Sequence, residues 1–324
     1  MKQRLPAKVR IFKLLKKMLI AFVILGVVVV AIPSVLFFKI SRPDSVGEQL
    51  NPSYYLLEFS DIRATSDDGK DINGWWIPGE QGFAGIVLSP GYGMSRSDVL
   101  SLATALHLKG FNILIYAQRG SSASADKTST FGIEESGDLL SAIHFIQSRP
   151  ESDQTRIGIW GVDVGAYSAL LAAASIPEVK AVAADSVFES PYEFLDLMID
   201  EEYGLNSRML QFGCRQVLRL FCTATGSPVG REMPFEDRSN CTFLFIIGEN
   251  RKKLGRLTTS LYSKMPPKKE IISFGTSRIH MMKGEEFQDY DRQVTDFFLQ
   301  RMLGNGKEYG FYSNTGKDSS VRRN

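Results

Sequence analysis

The stretch RIGIWGVDVGAYSALLAAA, residues 156–174, determines how the rest of the chain is interpreted. Its first part, residues 157–160, is an apolar run typical of a buried strand. Its last part, residues 166–174, is rich in small, helix-favouring residues. The turn between them is G-x-D-x-G, with Asp163 at its centre. Strand, G-x-D-x-G and helix in this order indicate a nucleophile elbow in which Asp163 stands where a serine is usual.

Two glycines flank this turn, Gly161 and Gly165. Glycine tolerates a sharp, strained backbone and lets the strand and the helix approach closely. An ordinary strand-to-helix turn is the alternative, with Asp163 as the N-cap of the helix. The stretch alone leaves both interpretations open.

Composition and charge limit the class of protein. The chain has 324 residues, of which 44% are hydrophobic, enough for one large domain or two small ones. Residues 1–17 carry seven Lys or Arg and no acid, whereas residues 18–304 carry a net charge of −7. An acidic body lacks the electrostatic footprint of a nucleic-acid-binding protein, so no nucleic-acid partner is expected.

Cysteine and histidine usage gives no sign of a metal or a cofactor. The cysteines Cys214, Cys222 and Cys241 are odd in number, which excludes a fully paired disulfide framework. Cys214 and Cys222, in an apolar region, are interpreted as buried, inert thiols. No Cys/His cluster has the spacing of metal ligands, so neither a metal site nor a cofactor is predicted.

Residues 18–38, MLIAFVILGVVVVAIPSVLFF, contain no charge. At 1.5 Å per residue, a helix of this length spans a bilayer core. A cleaved signal peptide is the alternative, but the run is long for one and no small-x-small site follows. The sequence therefore predicts an uncleaved single-pass anchor, with the membrane as a partner. The basic residues 1–17 place the N-terminus in the cytoplasm and the following domain on the extracytoplasmic side.

After a polar linker at residues 39–53, the pattern predicts a leading antiparallel hairpin and then alternating strands and helices. Such alternation indicates an α/β fold with a mostly parallel sheet wrapped by helices. Hairpin strands are predicted at residues 54–60, 62–65 and 72–77, later strands at 85–88, 112–116, 156–160, 179–184, 242–247 and 270–273, and helices at 95–108, 135–148 and 289–303.

An insert at residues 187–240 interrupts the alternation, and its residues 208–222 have apolar positions on one helical face. A lid over a site between core strands and a helix packed on the core both fit this pattern. Residues 305–324 are rich in glycine and polar residues, which predicts a disordered tail.

Three segments carry a resemblance to a known superfamily: residues 89–120, 156–174 and 179–191. With them, residues 54–304 resemble the α/β-hydrolases, in particular the branch of membrane-anchored bacterial esterase-like and serine-aminopeptidase-like proteins. The resemblance implies the α/β-hydrolase fold, with the elbow after the third parallel strand and a helical insert after the fourth.

The chain departs from this branch at the positions that carry the chemistry. The branch usually has His-Gly after the first parallel strand, where this chain has Pro90-Gly91, and Asp-x-Arg-Gly-His-Gly after the next, where residues 117–122 read AQRGSS. Its nucleophile is serine, here Asp163. Its acid follows a Gly-Glu-x-Asp turn, and here that position is Arg251.

Other members of the triad are candidates by position. His280 lies between the last strand and the closing helix, where the family keeps its base, while His107 and His144 fall inside predicted helices. Asp185, after the strand at residues 179–184, is a conceivable substitute for the acid, as is Glu189. The resemblance further implies that the backbone N–H groups of Tyr92 and Val164 are the oxyanion or ligand-binding donors.

Two functions remain open from the sequence. In the first, catalysis is lost: Asp163 caps the helix and fills the oxyanion site with its own charge, and the protein binds a small apolar or ester-like ligand or acts as a scaffold. In the second, Asp163 attacks an alkyl carbon and His280 activates the water that hydrolyses the resulting ester, as in the haloalkane dehalogenases and epoxide hydrolases that share this fold. Tyr192 and Tyr203 are then candidates to protonate an epoxide oxygen. Attack on an ester carbonyl would give a reactive anhydride, so serine-type acyl transfer is not expected.

Overall fold

A computed structural model describes residues 7–302 except positions 46, 67, 228–240 and 278. The predicted tail at residues 305–324 lies outside the described residues, as does the first third of the basic segment 1–17. Within the described part, the predicted α/β architecture is confirmed: a mostly parallel sheet with flanking helices follows an antiparallel start.

The sheet has eight strands in the order β1-β2-β4-β3-β5-β6-β7-β8. β1 and β2 form the leading hairpin, β2 pairs antiparallel with β4, and all later pairs are parallel. The strands are β1 (Ser60–Thr65), β2 (Asp71–Ile77), β3 (Phe83–Ser89), β4 (Asn112–Tyr116), β5 (Ser152–Val162), β6 (Val179–Asp185), β7 (Thr242–Gly248) and β8 (Lys269–Phe274).

Helices cover both faces of the sheet. Helices α3, α4 and α7 pack on one face, and α2 and α8 pack on the other, each against its own apolar cluster. Because helices cover both faces, the central strands β3 and β4 are buried along their whole length, and most of their residues are apolar. The helices are α1 (Ala7–Ile40), α2 (Leu100–His107), α3 (Glu135–Gln147), α4 (Val164–Ser175), α5 (Pro191–Tyr203), α6 (Arg208–Ala224), α7 (Lys252–Lys264) and α8 (Gly284–Met302).

The strand predicted at residues 54–60 is wrong. Residues Pro52–Tyr55 form a 3-10 helix, and β1 begins only at Ser60. The side chain of Asn51 accepts a hydrogen bond from Ser53 N at 3.0 Å, and a proline follows it at the first helical position. This Asn-Pro start signal outweighs the aromatic and apolar residues that suggested a strand.

The predicted helices 95–108 and 289–303 differ from the observed ones in their bounds. The predicted helix 95–108 is a 3-10 turn, Arg96–Val99, followed by α2. Its expected start signal is present, because Ser95 and Asp98 form a capping box. The closing helix α8 begins at Gly284, five residues before its predicted start.

Two helices were not predicted from the sequence, α5 and α7. α5 begins with a capping box, in which the side chain of Glu193 accepts from the backbone of Ser190, and with Pro191 at its first position. The predicted amphipathic helix 208–222 is present as α6 and extends to Ala224. The insert therefore contains two helices, with α6 packed along α1.

The apolar segment is one continuous helix that extends beyond its predicted end. α1 runs from Ala7 to Ile40, and its residues 11–32 are all exposed. Beyond residue 32, Pro33, Phe37 and Ile40 are buried against the domain. By length and composition α1 can cross a membrane. Its last two turns belong to the folded domain.

Candidate active site

Asp163 stands on a sharp turn between β5 and α4. Its backbone has φ 39° and ψ −102°, a left-handed conformation that a residue other than glycine adopts only under strain. The turn follows Val162, the last residue of β5, and α4 starts at once with Val164. This is the geometry of an elbow, which places the side chain at the carboxyl edge of a central parallel strand.

Glycines on either side of Asp163 are needed because the backbone is crowded there. A Cβ atom on Gly165 would lie 2.2 Å from the carbonyl oxygen of Ser89, at the end of β3. A Cβ atom on Gly161 would lie 2.5 Å from the carbonyl carbon of Gly165. The two glycines therefore let the first turn of α4 press against β3, as the sequence pattern suggested.

The carboxylate of Asp163 accepts hydrogen bonds from the two predicted oxyanion donors. Its Oδ1 atom lies 2.7 Å from the backbone nitrogen of Tyr92 and accepts a second bond from the backbone nitrogen of Val164. The side chain also closes over Gly91, where a Cβ atom would lie 2.8 Å from Oδ1. The structure thus brings three of the predicted site residues together and shows Asp163 also as the N-cap of α4.

Asp185 ends β6, beside the elbow, and is buried. Its backbone oxygen accepts from Asp163 N at 2.8 Å. Its side chain accepts from the hydroxyls of Ser186 and Tyr290, each at 2.8 Å. The Tyr290 hydroxyl in turn accepts from Trp160 Nε1 at 2.9 Å. A buried hydrogen-bond chain therefore ties β5, β6 and α8 together beneath the elbow.

Sequence reasoning missed Tyr290 and Trp160 as members of this site. Burial and the neighbouring Asp185 carboxylate raise the pKa of Tyr290 well above its usual value, so it stays protonated and donates to Asp185. No local sequence pattern indicates that Trp160 of β5 and Tyr290 of α8 form a hydrogen bond.

His280 lies where the sequence placed it, between β8 and α8. It belongs to a one-turn 3-10 helix, Ile279–Met281, that lies near the 3-10 turn after β3. Its imidazole is exposed, whereas Asp163 is fully buried. The other two histidines take structural positions: His107 Nε2 lies 2.9 Å from the carbonyl oxygen of Pro78, and His144 is exposed on α3.

Aromatic rings and the end of α1 form a roof over the elbow. The Tyr92 ring lies 6.1 Å from Phe131 and 5.8 Å from Phe194 of α5, measured between ring centroids. Phe37 of α1 lies 6.4 Å from Phe131. The Tyr92 hydroxyl donates to the carbonyl oxygen of Ile40. The predicted anchor therefore closes the site on one side and the insert closes it on the other.

The segment after α1 stays on the domain instead of serving as a free spacer. Ser41 accepts from the backbone nitrogen of Ser129 at 2.7 Å. Pro43 lies against the loops at Gly93 and Gly120, within 3.3 Å of where a Cβ atom would stand. Farther along, the carboxylate of Glu48 pairs with the guanidinium of Arg96. The predicted linker 39–53 thus crosses the carboxyl edge of the sheet.

The two remaining altered motifs have structural partners. Arg119, from the AQRGSS segment, is buried and pairs with Asp138 through two hydrogen bonds of 2.6 and 2.7 Å. It also bonds Glu134 at 2.9 Å. Arg251, at the position of the family acid, pairs with Glu201 of α5 at 2.8 Å. Arg251 therefore holds the insert to the end of β7 and cannot orient a histidine as a carboxylate would.

Thiol and metal chemistry have no support among the described residues. Cys214, Cys222 and Cys241 are buried, and burial raises the pKa of Cys214 to about 11 and that of the other two to about 12. Such thiols are not nucleophiles at neutral pH. In the described ranges no group of three His, Cys, Asp or Glu side chains is placed to hold a metal ion.

Comparisons with known proteins agree with this architecture. No protein-family model matches the chain. An esterase of Pyrococcus furiosus superposes with a TM-score of 0.62 at 21% identity, over 82% of this chain and 100% of the esterase. A polyketide transferase of Penicillium is 28% identical over 131 residues, 40% of this chain and 45% of that protein. A thiohydrolase of Arthrinium phaeospermum is 30% identical over 130 residues, 39% of this chain and 42% of that protein.

The chain spans less than half the length of these two curated relatives, so the comparison with them concerns a shared part. The superposition on the esterase, by contrast, covers its whole length. The strand order, the elbow after β5, the helical insert after β6 and these likenesses lead to one conclusion: the chain has the α/β-hydrolase fold.

Proposed function

We propose that this chain is a membrane-tethered α/β-hydrolase-fold protein that has lost ester hydrolysis and serves as a binding or scaffold protein. α1 supplies the tether, and the basic residues 1–17 orient it with the domain on the extracytoplasmic side. The resemblance to membrane-anchored esterase-like proteins supports this placement. The ligand we expect is small and apolar or ester-like.

One observation carries the proposal: Oδ1 of Asp163 accepts from the backbone nitrogens of both Tyr92 and Val164. In an ester hydrolase these donors stabilise the oxygen that becomes negative in the transition state. Here the side-chain carboxylate of Asp163 already accepts hydrogen bonds from both N–H groups. A substrate carbonyl would have to displace a charge that the helix N-terminus and two N–H groups stabilise.

The surroundings of Asp163 agree with lost catalysis. Asp163 is fully buried, as are Phe37 and Phe194 of the roof, so the elbow side chain has no contact with solvent. The acid position holds Arg251, which is paired with Glu201. Asp185, the candidate substitute, bonds Tyr290 and Ser186 within the core.

The test is turnover by the full chain, purified in detergent, with a panel of short nitrophenyl esters, haloalkanes and epoxides. Asp163→Asn is the matched control, because its side-chain oxygen can still accept from both amides while its nucleophilicity is lost. We expect the wild type and Asp163→Asn to be equally silent. Turnover by the wild type that Asp163→Asn abolishes would overturn the proposal.

A second candidate function is displacement at an alkyl carbon, with Asp163 as nucleophile and His280 activating water. The strained elbow backbone of Asp163 favours it, because φ 39° is the kind of conformation that holds a nucleophile at the edge of the sheet. Hydrogen bonds that fix Oδ1 would also orient the rest of the carboxylate. The same substrate panel separates the two functions, since haloalkane or epoxide turnover without ester turnover favours the second.

A further inference from the structure

The insert helix α6 has an apolar side that the folded domain does not cover. Cys214, Leu218 and Cys222 of α6 face the core and are buried. Met209, Phe212 and Leu220 are 72%, 64% and 69% exposed. At 100° per residue, these three lie within one sector of the helix, next to the side that meets α1. A soluble surface rarely presents so many large apolar side chains together.

This exposed side continues directly onto the helix that can cross the membrane. α6 packs along α1, and a Cβ atom on Gly213 would lie 2.6 Å from Cγ of Pro33. Cys214 Sγ lies 3.5 Å from the carbonyl oxygen of Pro33. An apolar groove of about 520 Å³ runs between the helices. It is lined by residues 28–30, 32 and 33 of α1 and by Met209, Phe212 and Leu220 among others of α6.

The length of the exposed, uncharged part of α1 indicates how deep in the membrane this groove lies. At 1.5 Å per residue, residues 18–32 extend about 22 Å, whereas a bilayer core is about 30 Å thick. The missing length must come from one end of the run. Toward the N-terminus the next residues include Lys13, Lys16 and Lys17. Toward the C-terminus they are residues 33–37, which are uncharged and of which Pro33 and Phe37 contact α6.

Extending the span through residues 33–37 avoids burying lysines, whose charges are costly in hydrocarbon. It also brings the apolar side of α6 to the edge of the acyl region, where exposed Met, Phe and Leu side chains are stabilised by lipid. Arg208 and Arg219 are exposed on the flank of α6 next to this apolar side. Guanidinium groups at that position suit the phosphates of lipid headgroups.

We infer that α6 lies in the leaflet next to the domain and that the groove between α1 and α6 holds lipid acyl chains. The inference depends on the proposed membrane tether and extends it, because it makes the insert a membrane-contacting element. Since Phe194 of α5 contacts Tyr92 and α5 packs on α6, the lipid contact adjoins the roof of the elbow.

The test places an environment-sensitive NBD fluorophore on a single introduced cysteine in the full chain. The protein is reconstituted into phosphatidylcholine nanodiscs with or without doxyl-labelled phosphatidylcholine. The native cysteines are buried, and the labelled wild type measures their background. Phe212→Cys and Met209→Cys probe α6, and Val23→Cys probes the span.

The matched control is Leu108→Cys. Leu108 is also apolar and is 76% exposed, but it follows α2 at the opposite edge of the sheet. We expect the probes at positions 212, 209 and 23 to emit at blue-shifted wavelengths and to lose most of their emission to doxyl lipid. The probe at position 108 should behave as in water.

Each other result overturns a defined part of the account. Quenching at position 23 with water-like emission at 209 and 212 overturns the inference and leaves the tether intact. Water-like emission at position 23 as well overturns the tether itself. Blue-shifted emission at 212 that doxyl lipid does not quench, with disulfide-linked dimers of unlabelled Phe212→Cys, assigns the groove to a second copy of the chain and also overturns the inference.

Discussion

The Oδ1 atom of Asp163 lies 2.7 Å from the backbone nitrogen of Tyr92, across the gap between the elbow and the loop after β3. The same oxygen accepts from Val164 N. A residue at the nucleophile position thus bonds the loop that an ester hydrolase keeps open for its substrate. Under the proposed function the site is closed by its own side chain, and this contact is testable through stability as well as through activity.

Replacing Asp163 by Ala should destabilise the protein. The change leaves two buried N–H groups without their acceptor and removes the cap of α4, which together cost about 2–4 kcal/mol. Asp163→Asn keeps an acceptor oxygen and should cost less than about 1 kcal/mol. Urea unfolding of the full chain in detergent measures both. Equal losses for Ala and Asn would show that the carboxylate does not act through these two bonds.

Tyr290→Phe should weaken the core beneath the elbow. The hydroxyl of Tyr290 donates to Asp185 and accepts from Trp160, so its removal leaves a buried carboxylate and a buried indole N–H without that partner. We expect a loss of about 2 kcal/mol in the free energy of unfolding. Tyr54→Phe is the control, because Tyr54 is 69% exposed. If both variants unfold at the same denaturant concentration, the buried hydrogen bonds of Tyr290 contribute no net stability.

Asp291 should make the protein less stable as pH rises. Burial raises its pKa to about 6, compared with about 4 in an unfolded chain. Between those values the folded chain holds a proton that the unfolded chain has released. The contribution of Asp291 to the free energy of unfolding therefore falls from about pH 4 to about pH 6 and then levels off.

Asp291→Asn removes this titration, and its oxygen can still accept from the hydroxyl of Ser101 as the carboxylate does. Relative to the wild type, the variant should gain about 2 kcal/mol between pH 4 and pH 7. Chemical unfolding at the two pH values measures the difference. The pKa of Asp138 is also raised to about 6. Because Asp138 titrates in both proteins, its contribution cancels when the variant is compared with the wild type. Parallel pH profiles would argue against a raised pKa at Asp291.

Gly213→Ala should loosen the contact between α1 and α6. A Cβ atom there would approach the Pro33 ring to 2.6 Å, a rigid neighbour that cannot move aside cheaply. Overpacking of this kind costs about 1–3 kcal/mol, which outweighs the helix propensity gained by alanine. Gly137→Ala in α3 is the control, because nothing lies within 4 Å of its Cβ position. We expect a lower melting temperature for Gly213→Ala and a higher one for Gly137→Ala; a rise in both would contradict the packing.

The sheet and the elbow could be predicted from the sequence because their signals are local. The strand β4 is present with its predicted bounds. The glycines on either side of Asp163 are needed because the backbone is crowded there, and their spacing is visible in the sequence. α5 was missed, since its Ser190 capping box begins inside a segment interpreted only as an insert. The prediction of a strand at residues 54–60 failed because a run of aromatic and apolar residues does not exclude a 3-10 turn started by Asn51.

The assembly of the site depends on contacts between distant residues, which no local pattern reveals. The hydrogen bond from Tyr92 to Ile40 joins positions 52 residues apart, and that from Trp160 to Tyr290 joins positions 130 residues apart. The charge-free run predicted a helix that crosses a membrane, but not that Phe37 near its end packs over the elbow. Only the packed structure shows that the end of α1 contributes to the roof over the elbow.

The central claim is that Asp163 fills the oxyanion site and does not act as a nucleophile. The most direct measurement is the mass of the tryptic peptide covering residues 157–180, which contains Asp163, after the full chain is incubated with a haloalkane or an epoxide. We predict the unmodified mass, identical to that of the untreated protein. An added alkyl group on Asp163, absent when Asp163→Asn is treated in the same way, would contradict the account.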